Sequence, residues 1–355
     1  MVVKEIYFSN EKIREIARKL KADPLLVERL IFGIELLGNL VKENVDFIFK
    51  GGTSMLFVIP RIKRLSIDID IVVSDKIYNF EKIFDRIVEK GIFKSWIEDI
   101  RSSEKDIPKK HYKFYYTSPV AKKELYVLLD ILKIGTPILK TNRRILELPF
   151  IKTEEKLEVT VPTINSLAAD KLTAFAPNTI GIKYKQGKSM EIIKQLFDIG
   201  VLFEYIDDLE EMREVYRGIS KIEASFRRME FKPNEFLKDS IDTAFLISQL
   251  DFKGSIENEY TKELKEGINK IKSHIIGGKY SLLNAKEDAS KLACLAFLIG
   301  LDKSIALEEI RKERRNIEVI RDITFKDKYK ILNKLKSISP ESFYFWSIVT
   351  QSIKR

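Results

Sequence analysis

At 355 residues, with 45% hydrophobic and 33% charged side chains, the chain is too apolar for a disordered polymer and exceeds the usual size of one domain, so two are expected. No apolar run reaches the length of a membrane span, the single Cys294 excludes an internal disulfide, and two distant histidines, His111 and His274, exclude a histidine-based zinc site. A formal net charge of +10 favours a polyanionic partner.

The chain begins MVVKEIYFSNEKIREIARKL, charged from the start and without the apolar core of a secretory signal, so a cytoplasmic location is expected. Residues 10–43 predict two helices. Asn10 is placed to cap the first and Asp23-Pro24 to restart the second, whose apolar residues Leu26, Val27, Leu30, Ile31, Ile34 and Leu37 form a broad buried stripe. Phe47-Ile48-Phe49 reads as a short buried strand, followed by the turn Lys50-Gly51-Gly52-Thr53-Ser54 and a helix beginning near Met55. A strand, a glycine turn and a helix N-terminus together present free N–H groups to an anion, and the Thr53 and Ser54 hydroxyls can cap the helix or donate to phosphate.

From Ser66 to Val73 polar and apolar residues alternate, which predicts a strand with Asp68 and Asp70 on one face and Ile67, Ile69 and Ile71 on the other. Carboxylates ~7 Å apart along a strand can share divalent ions and repel one another without them. Mg²⁺ suits such a site, because it takes one or two carboxylates together with substrate phosphate oxygens. Taken alone, an Asp-x-Asp reads as a half-exposed strand with two solvated aspartates.

Asn79 to Gly91 predicts an amphipathic helix, and Lys113-Phe114-Tyr115-Tyr116 a strand. The Lys, Tyr and Phe of residues 92–123 suit one face of a sheet or a base-stacking surface. The strand Glu124 to Leu132 carries one carboxylate, Asp130, in an apolar setting that is costly unless the charge is paired or bound to metal. A last strand in EEKLEVTVP leads to the helix INSLAADKLTAFA, capped by Thr163, with Lys171 at the border of its apolar stripe. Ile180 to Ser189, rich in Gly and Lys, reads as a mobile loop facing the site, Glu191 to Tyr205 as a helix, and the remainder as successive amphipathic helices. Basic clusters at 109–113, 122–123, 143–144, 311–315 and 326–330 are each a solvated face or part of an anion-binding surface.

The run Lys50-Gly51-Gly52-Thr53-Ser54 followed by Arg64-Leu65-Ser66-Ile67-Asp68-Ile69-Asp70 resembles, in spelling and order, the DNA polymerase beta-like nucleotidyltransferases and more narrowly the AbiEii/AbiGii toxin family. Asp170-Lys171-Leu172-Thr173-Ala174 is similar to a further family helix, and Lys194 to Ile199 to another, with Gln195 where an Asp is common and Asp198 retained. The resemblance covers roughly residues 47–200. It implies an α+β fold, a mixed sheet with helices in a nucleotidyltransferase domain (1–160) and a helical domain (161–355) that completes the active site and binds the acceptor. It further implies two Mg²⁺ ions held by Asp68, Asp70 and Asp130, an NTP whose phosphates meet the Gly51–Ser54 turn, Lys50, Arg64 and Lys171, and Asp198 as partner of a site lysine. The acceptor implied is RNA, the 3′ end of tRNA, with a cognate antitoxin restraining the toxin. A protein hydroxyl or a small molecule as acceptor, and a degenerate chain that only binds RNA or a partner, are the alternatives.

Overall fold

The computed structural model describes residues 1–74, 76–100, 108–135, 138–301 and 306–351; the part of the lysine- and aromatic-rich stretch that falls on 101–107 lies outside them. The chain divides into two units, Met1–Thr163 with Ser273–Gly278, and Ile164–Lys272 with Lys279–Arg355.

In the first unit the helices α1 (Asn10–Leu20) and α2 (Pro24–Lys42) come first. Ser9, rather than Asn10, caps α1 by accepting from the Lys12 amide, while Asp23 accepts from Leu25 with Pro24 at the start of α2. Seven strands follow: β1 (Ile48–Lys50), β2 (Ile69–Val73), β3 (Ser95–Glu98), β4 (Lys109–Thr117), β5 (Glu124–Lys133), β6 (Thr141–Ile145) and β7 (Glu158–Pro162). They form one mixed sheet in the order β3-β4-β5-β2-β1-β7-β6, in which β2–β5 and β1–β7 are parallel and the other pairs antiparallel. Strands β3 and β6 were not expected from the sequence; β3 has one half-buried residue, and β6 is exposed throughout.

The period of two sorts the strands into two faces. Phe49, Ile69, Ile71, Tyr112, Phe114, Leu129 and Ile131 are buried in one hydrophobic core with the α2 residues Leu30, Ile31, Ile34 and Leu37. Phe32 of α2 stacks on Tyr116 with ring centroids 3.7 Å apart. Helix α2 also carries two buried carboxylates. Glu28 accepts from Tyr116 Oη, Ser118 Oγ and the Val120 amide, and Glu35 accepts from the amides of Val2 and Val3, so both charges are offset by hydrogen bonds as burial requires. Residues 273–278 return to this unit: Arg64 and Ile275 form a bridge, Leu65 N–H donates to His274 O and Ile276 N–H to Lys63 O.

The second unit is helical, with α5 (Ile164–Ala174), α6 (Ser189–Leu202), α7 (Leu209–Phe226), α8 (Pro233–Gln249), α9 (Glu259–Lys270), α10 (Leu282–Gly300) and a final helix, α14 (Pro340–Gln351), beside short segments α11 (Leu307–Glu313), α12 (Ile317–Ile320) and α13 (Leu335–Ile338). The remaining helices of the first unit are α3 (Gly51–Ser54) and α4 (Phe80–Glu89). Cys294 is buried in α10, as its apolar setting predicts. Ile180 to Ser189 is anchored rather than loose. Ile180 is buried, the Gly181 and Ile182 amides donate to Ala176 O and Ala174 O, and Tyr184 stacks on Tyr260 at 4.5 Å. No described helix is long and apolar enough to cross a membrane.

Candidate active site

On the sheet face opposite the core, the strand registers align four functional side chains. Lys50 is opposite Asp70 across β1–β2, Asp70 is beside Asp130 across β2–β5, and Asp130 is opposite His111 across β4–β5. Residues in register share a face, so the two carboxylates are neighbours, with a lysine on one flank and a histidine on the other. Asp68 lies two residues before Asp70, just ahead of the first residue of β2, so the strand is shorter than the alternation from Ser66 predicts.

The glycine turn and the Asp-x-Asp segment interlock. Gly51 has φ of +80°, and a Cβ there would overlap the Asp70 carboxylate. A Cβ on Gly52 would lie 2.6 Å from Arg64 Nη2 and 2.8 Å from Ser66 Oγ. Both glycines are therefore needed because side chains from the second motif occupy the space their own side chains would take. Thr53 Oγ1 donates to Asp68 O at 2.7 Å and Ser54 Oγ to Gly51 O at 2.9 Å, and both residues are fully buried. Their hydroxyls tie the turn to the aspartate segment and to itself, so what the turn presents to an anion is backbone.

Asp70 is partly buried, and desolvation pushes its carboxyl up to about 6; Lys109 opposes the rise, Asp130 and Asp68 add to it, and Lys50 opposes it. Asp130 is 6% exposed, and both of its oxygens are engaged. His111 Nδ1 lies 2.7 Å from Oδ1, and Lys109 Nζ lies 2.6 Å from Oδ2. His111 belongs to β4. Sequence reading missed Lys109 and His111 as site residues. The available signal was Lys109-x-His111, two polar residues at strand spacing and 19 residues from a lone Asp in an apolar strand.

Among the described residues no three His, Cys, Asp or Glu side chains are gathered closely enough to hold a metal ion by themselves. The donor chemistry nevertheless fits a hard divalent cation at Asp68 and Asp70. A carboxylate raised by desolvation, with neighbouring like charges adding to it, is relieved by a cation, and Mg²⁺ takes most of its remaining ligands from water and phosphate. Lys171 and Asp198 lie in the helical unit, on α5 and α6, where Lys171 Nζ is 3.2 Å from Asp198 Oδ2; the two side chains are 6% and 0% exposed. The structure therefore gathers Lys50, Gly51, Gly52, Arg64, Asp68, Asp70 and Asp130 in the first unit and pairs Lys171 with Asp198 in the second.

Residues 35–281 match the family described as nucleotidyl transferase AbiEii toxin, type IV TA system. No curated protein matches the chain. Among solved structures, JHP933 from Helicobacter pylori is similar at 16% identity, covering 85% of this chain and 100% of its own, with a TM-score of 0.41. An antigenic nucleotidyltransferase-like protein from Paracoccidioides brasiliensis is similar at 11% identity, covering 58% of this chain and 94% of its own, with a TM-score of 0.35.

Proposed function

Because that match spans most of the chain, the protein belongs to the AbiEii nucleotidyl transferase toxin family, and from this premise we propose that it moves a nucleoside monophosphate from an NTP to a 3′ hydroxyl of RNA, with tRNA as the acceptor. The chain is a nucleotidyltransferase with an α+β fold, a mixed sheet followed by helices. The observation that carries the reading is the in-register pair Asp70–Asp130, locked against the glycine turn through Gly51 and flanked by Lys50.

In the reaction, the acceptor oxygen attacks the α-phosphorus, a phosphate ester forms, the bond between the α-phosphorus and its bridging oxygen breaks, and pyrophosphate leaves. Asp68 and Asp70 would hold Mg²⁺, which supplies charge neutralisation at the triphosphate and polarises the α-phosphate. Lys50 adds positive charge beside Asp70, and the backbone of Gly51 and Gly52 faces the phosphates. The proton of the attacking hydroxyl passes to water, and Asp130, held at Oδ2 by Lys109 and at Oδ1 by His111, adds negative charge beside Asp70. Arg64, buried against Gly52, holds the turn in place and adds a second positive charge. Lys171, whose ammonium is paired with Asp198, is assigned to the triphosphate by the family resemblance, and Lys171→Met tests it through the KM for NTP.

The net charge of +10 supports a polyanionic acceptor, and RNA duplex ends are read by shape and phosphate more than by sequence. A cognate antitoxin, which family membership suggests, would act on this activity or on its target. The test is incubation with Mg²⁺, each labelled NTP in turn and total tRNA, beside Asp70→Ala. Label on tRNA from the wild-type chain and none from the variant is the expected result. Label on protein or a small molecule keeps the chemistry and discards the acceptor; equal labelling by the variant discards the site.

A further inference from the structure

We propose that the face of β3, β4 and β5 opposite the core is a stacking platform for the single-stranded 3′ end of the RNA acceptor, with Tyr126 and Tyr115 as its base-stacking side chains. The inference rests on the nucleotidyl-transfer reading of the site and deepens it by saying where the acceptor lies.

The strand period separates two sets of side chains. Trp96, Tyr112 and Phe114 pack edge-on against Phe84 of α4, and Tyr116 stacks on Phe32 of α2, so these four rings belong to the core side. The residues between them face the other way. On that side three successive register pairs of β4 and β5 run in line: Tyr115 with Tyr126, Lys113 with Leu128, and His111 with Asp130. Asp130 is in turn beside Asp70 of β2, so the track ends at the carboxylate row, and Ile97 of β3 widens it beside Lys113. Burial follows the same division. Tyr112, Phe114 and Tyr116 are buried, whereas Tyr126 is 39% exposed, Ile97 is 44% exposed, and Tyr115, Lys113 and Leu128 are half-buried. Large apolar side chains standing in solvent along one sheet face, continuous with a reaction centre, suit a ligand better than they suit the sheet's own packing.

Three observations name that ligand as an unpaired strand of nucleotides. First, the rings are set before a ligand arrives. Tyr115 and Tyr126 meet edge to face with centroids 5.8 Å apart, and Lys113 Nζ lies 5.2 Å from the Tyr126 centroid while paired with Asp99 at 2.8 Å. Aromatic rings on adjacent strands of a sheet face take stacked bases, whichever base is offered. Second, exposed Lys122 and Lys123 stand in the turn between β4 and β5, beyond the tyrosines, where a strand leading away from the site carries its phosphates. Third, the reach fits. Tyr126 precedes Asp130 on β5 by ~13 Å, which about four nucleotides span at the ~3.4 Å spacing of stacked bases. The base on Tyr126 thus lies within about four positions of the reacting 3′ hydroxyl. Paired bases keep their faces inside the duplex stack, so a tail can use this surface and a blunt end cannot.

Equilibrium binding and transfer kinetics on the full chain test this, with RNA hairpins that end either blunt or in single-stranded 3′ tails of increasing length. Tyr126→Trp is expected to show fluorescence quenching by tailed RNA, beyond any change in the wild-type chain, and none by blunt RNA. Tyr126→Leu should raise the Kd for tailed RNA about fivefold or more, the low end of what one stacked base contributes, and raise the KM for RNA with it, while the KM for NTP stays unchanged. Tyr126→Phe keeps the ring, should match the wild type in both, and serves as the folded control. Absence of quenching, or tailed and blunt RNA weakened alike in Tyr126→Leu, overturns the platform; label that still reaches RNA and still requires Asp70 then leaves nucleotidyl transfer intact. Label that reaches protein or a small molecule and never RNA overturns the acceptor reading on which the platform rests.

Discussion

A methyl group at residue 51 would fall on the Asp70 carboxylate, and its φ of +80° would strain any L side chain there. Gly51→Ala is therefore expected to lower stability by about 1–3 kcal/mol in urea denaturation and, by displacing Asp70, to lose nucleotide transfer as completely as Asp70→Ala does. Gly52→Ala would instead press on Arg64 and Ser66, so its loss of activity should be partial, with the melting temperature reporting the displaced arginine. A second residue-scale prediction concerns Asp288 in α10, where burial pushes the carboxyl up to about 7, Lys291 and the Tyr280 hydroxyl at 2.7 Å pull it down, and Glu287 and Glu204 push it up. Folding then binds the proton more tightly than the unfolded chain does, so this group's contribution is full below the ordinary carboxylate pKa of about 4 and falls as pH rises through about 7. Asp288→Asn should flatten that decline; urea midpoints that fall equally in both proteins between these pH values would contradict it.

Between residues the elements carry what isolated motifs do not. The strand, glycine turn and Asp-x-Asp segment were legible because each has a local cause: an apolar triplet, two glycines, and alternation at a period of two. The second helix was equally legible, since its apolar stripe is wide and Asp23-Pro24 marks its start. Lys109 and His111 were not, because their meaning comes from the register of β4 against β5, a non-local pairing that basic spelling conceals. The Thr53 and Ser54 hydroxyls likewise take their partners from the folded turn. They suit phosphate in a free turn, but the turn is closed by Asp68 O and by its own Gly51 carbonyl. The exposed β6 lacks the apolar alternation that marks a strand, and is held by pairing with β7 alone. In the helical unit, Lys286 of α10 reaches the end of α8, donating to Ser248 O at 2.8 Å and Leu250 O at 2.6 Å, with Phe252 beneath its ammonium at 3.7 Å. A cation at helix carbonyls both caps and complements the dipole. Lys286→Met should cost about 1–3 kcal/mol in urea denaturation without changing nucleotide transfer measured on the folded protein.

At the scale of the whole molecule, the excess of 63 lysines and arginines over 53 acidic residues makes salt the simplest probe of the acceptor. If RNA is held through its phosphates, the logarithm of its affinity should fall linearly with the logarithm of salt concentration, measured by filter binding; a flat response would argue for an acceptor recognised without charge. The strands end with β7 and helices follow from α5, but the two units are not divided by a single cut. Residues 273–278 come back to the sheet unit and bind the Arg64–Leu65 segment that leads into the Asp-x-Asp strand. During synthesis, domains fold as their residues leave the ribosome. The first unit cannot receive its last segment until residue 278 has emerged, long after the aspartates themselves. A nascent or truncated chain that stops before that point carries every carboxylate of the site yet lacks the backbone partners of the segment that aims them, so the activity of this toxin family member would be switched on late in its own translation.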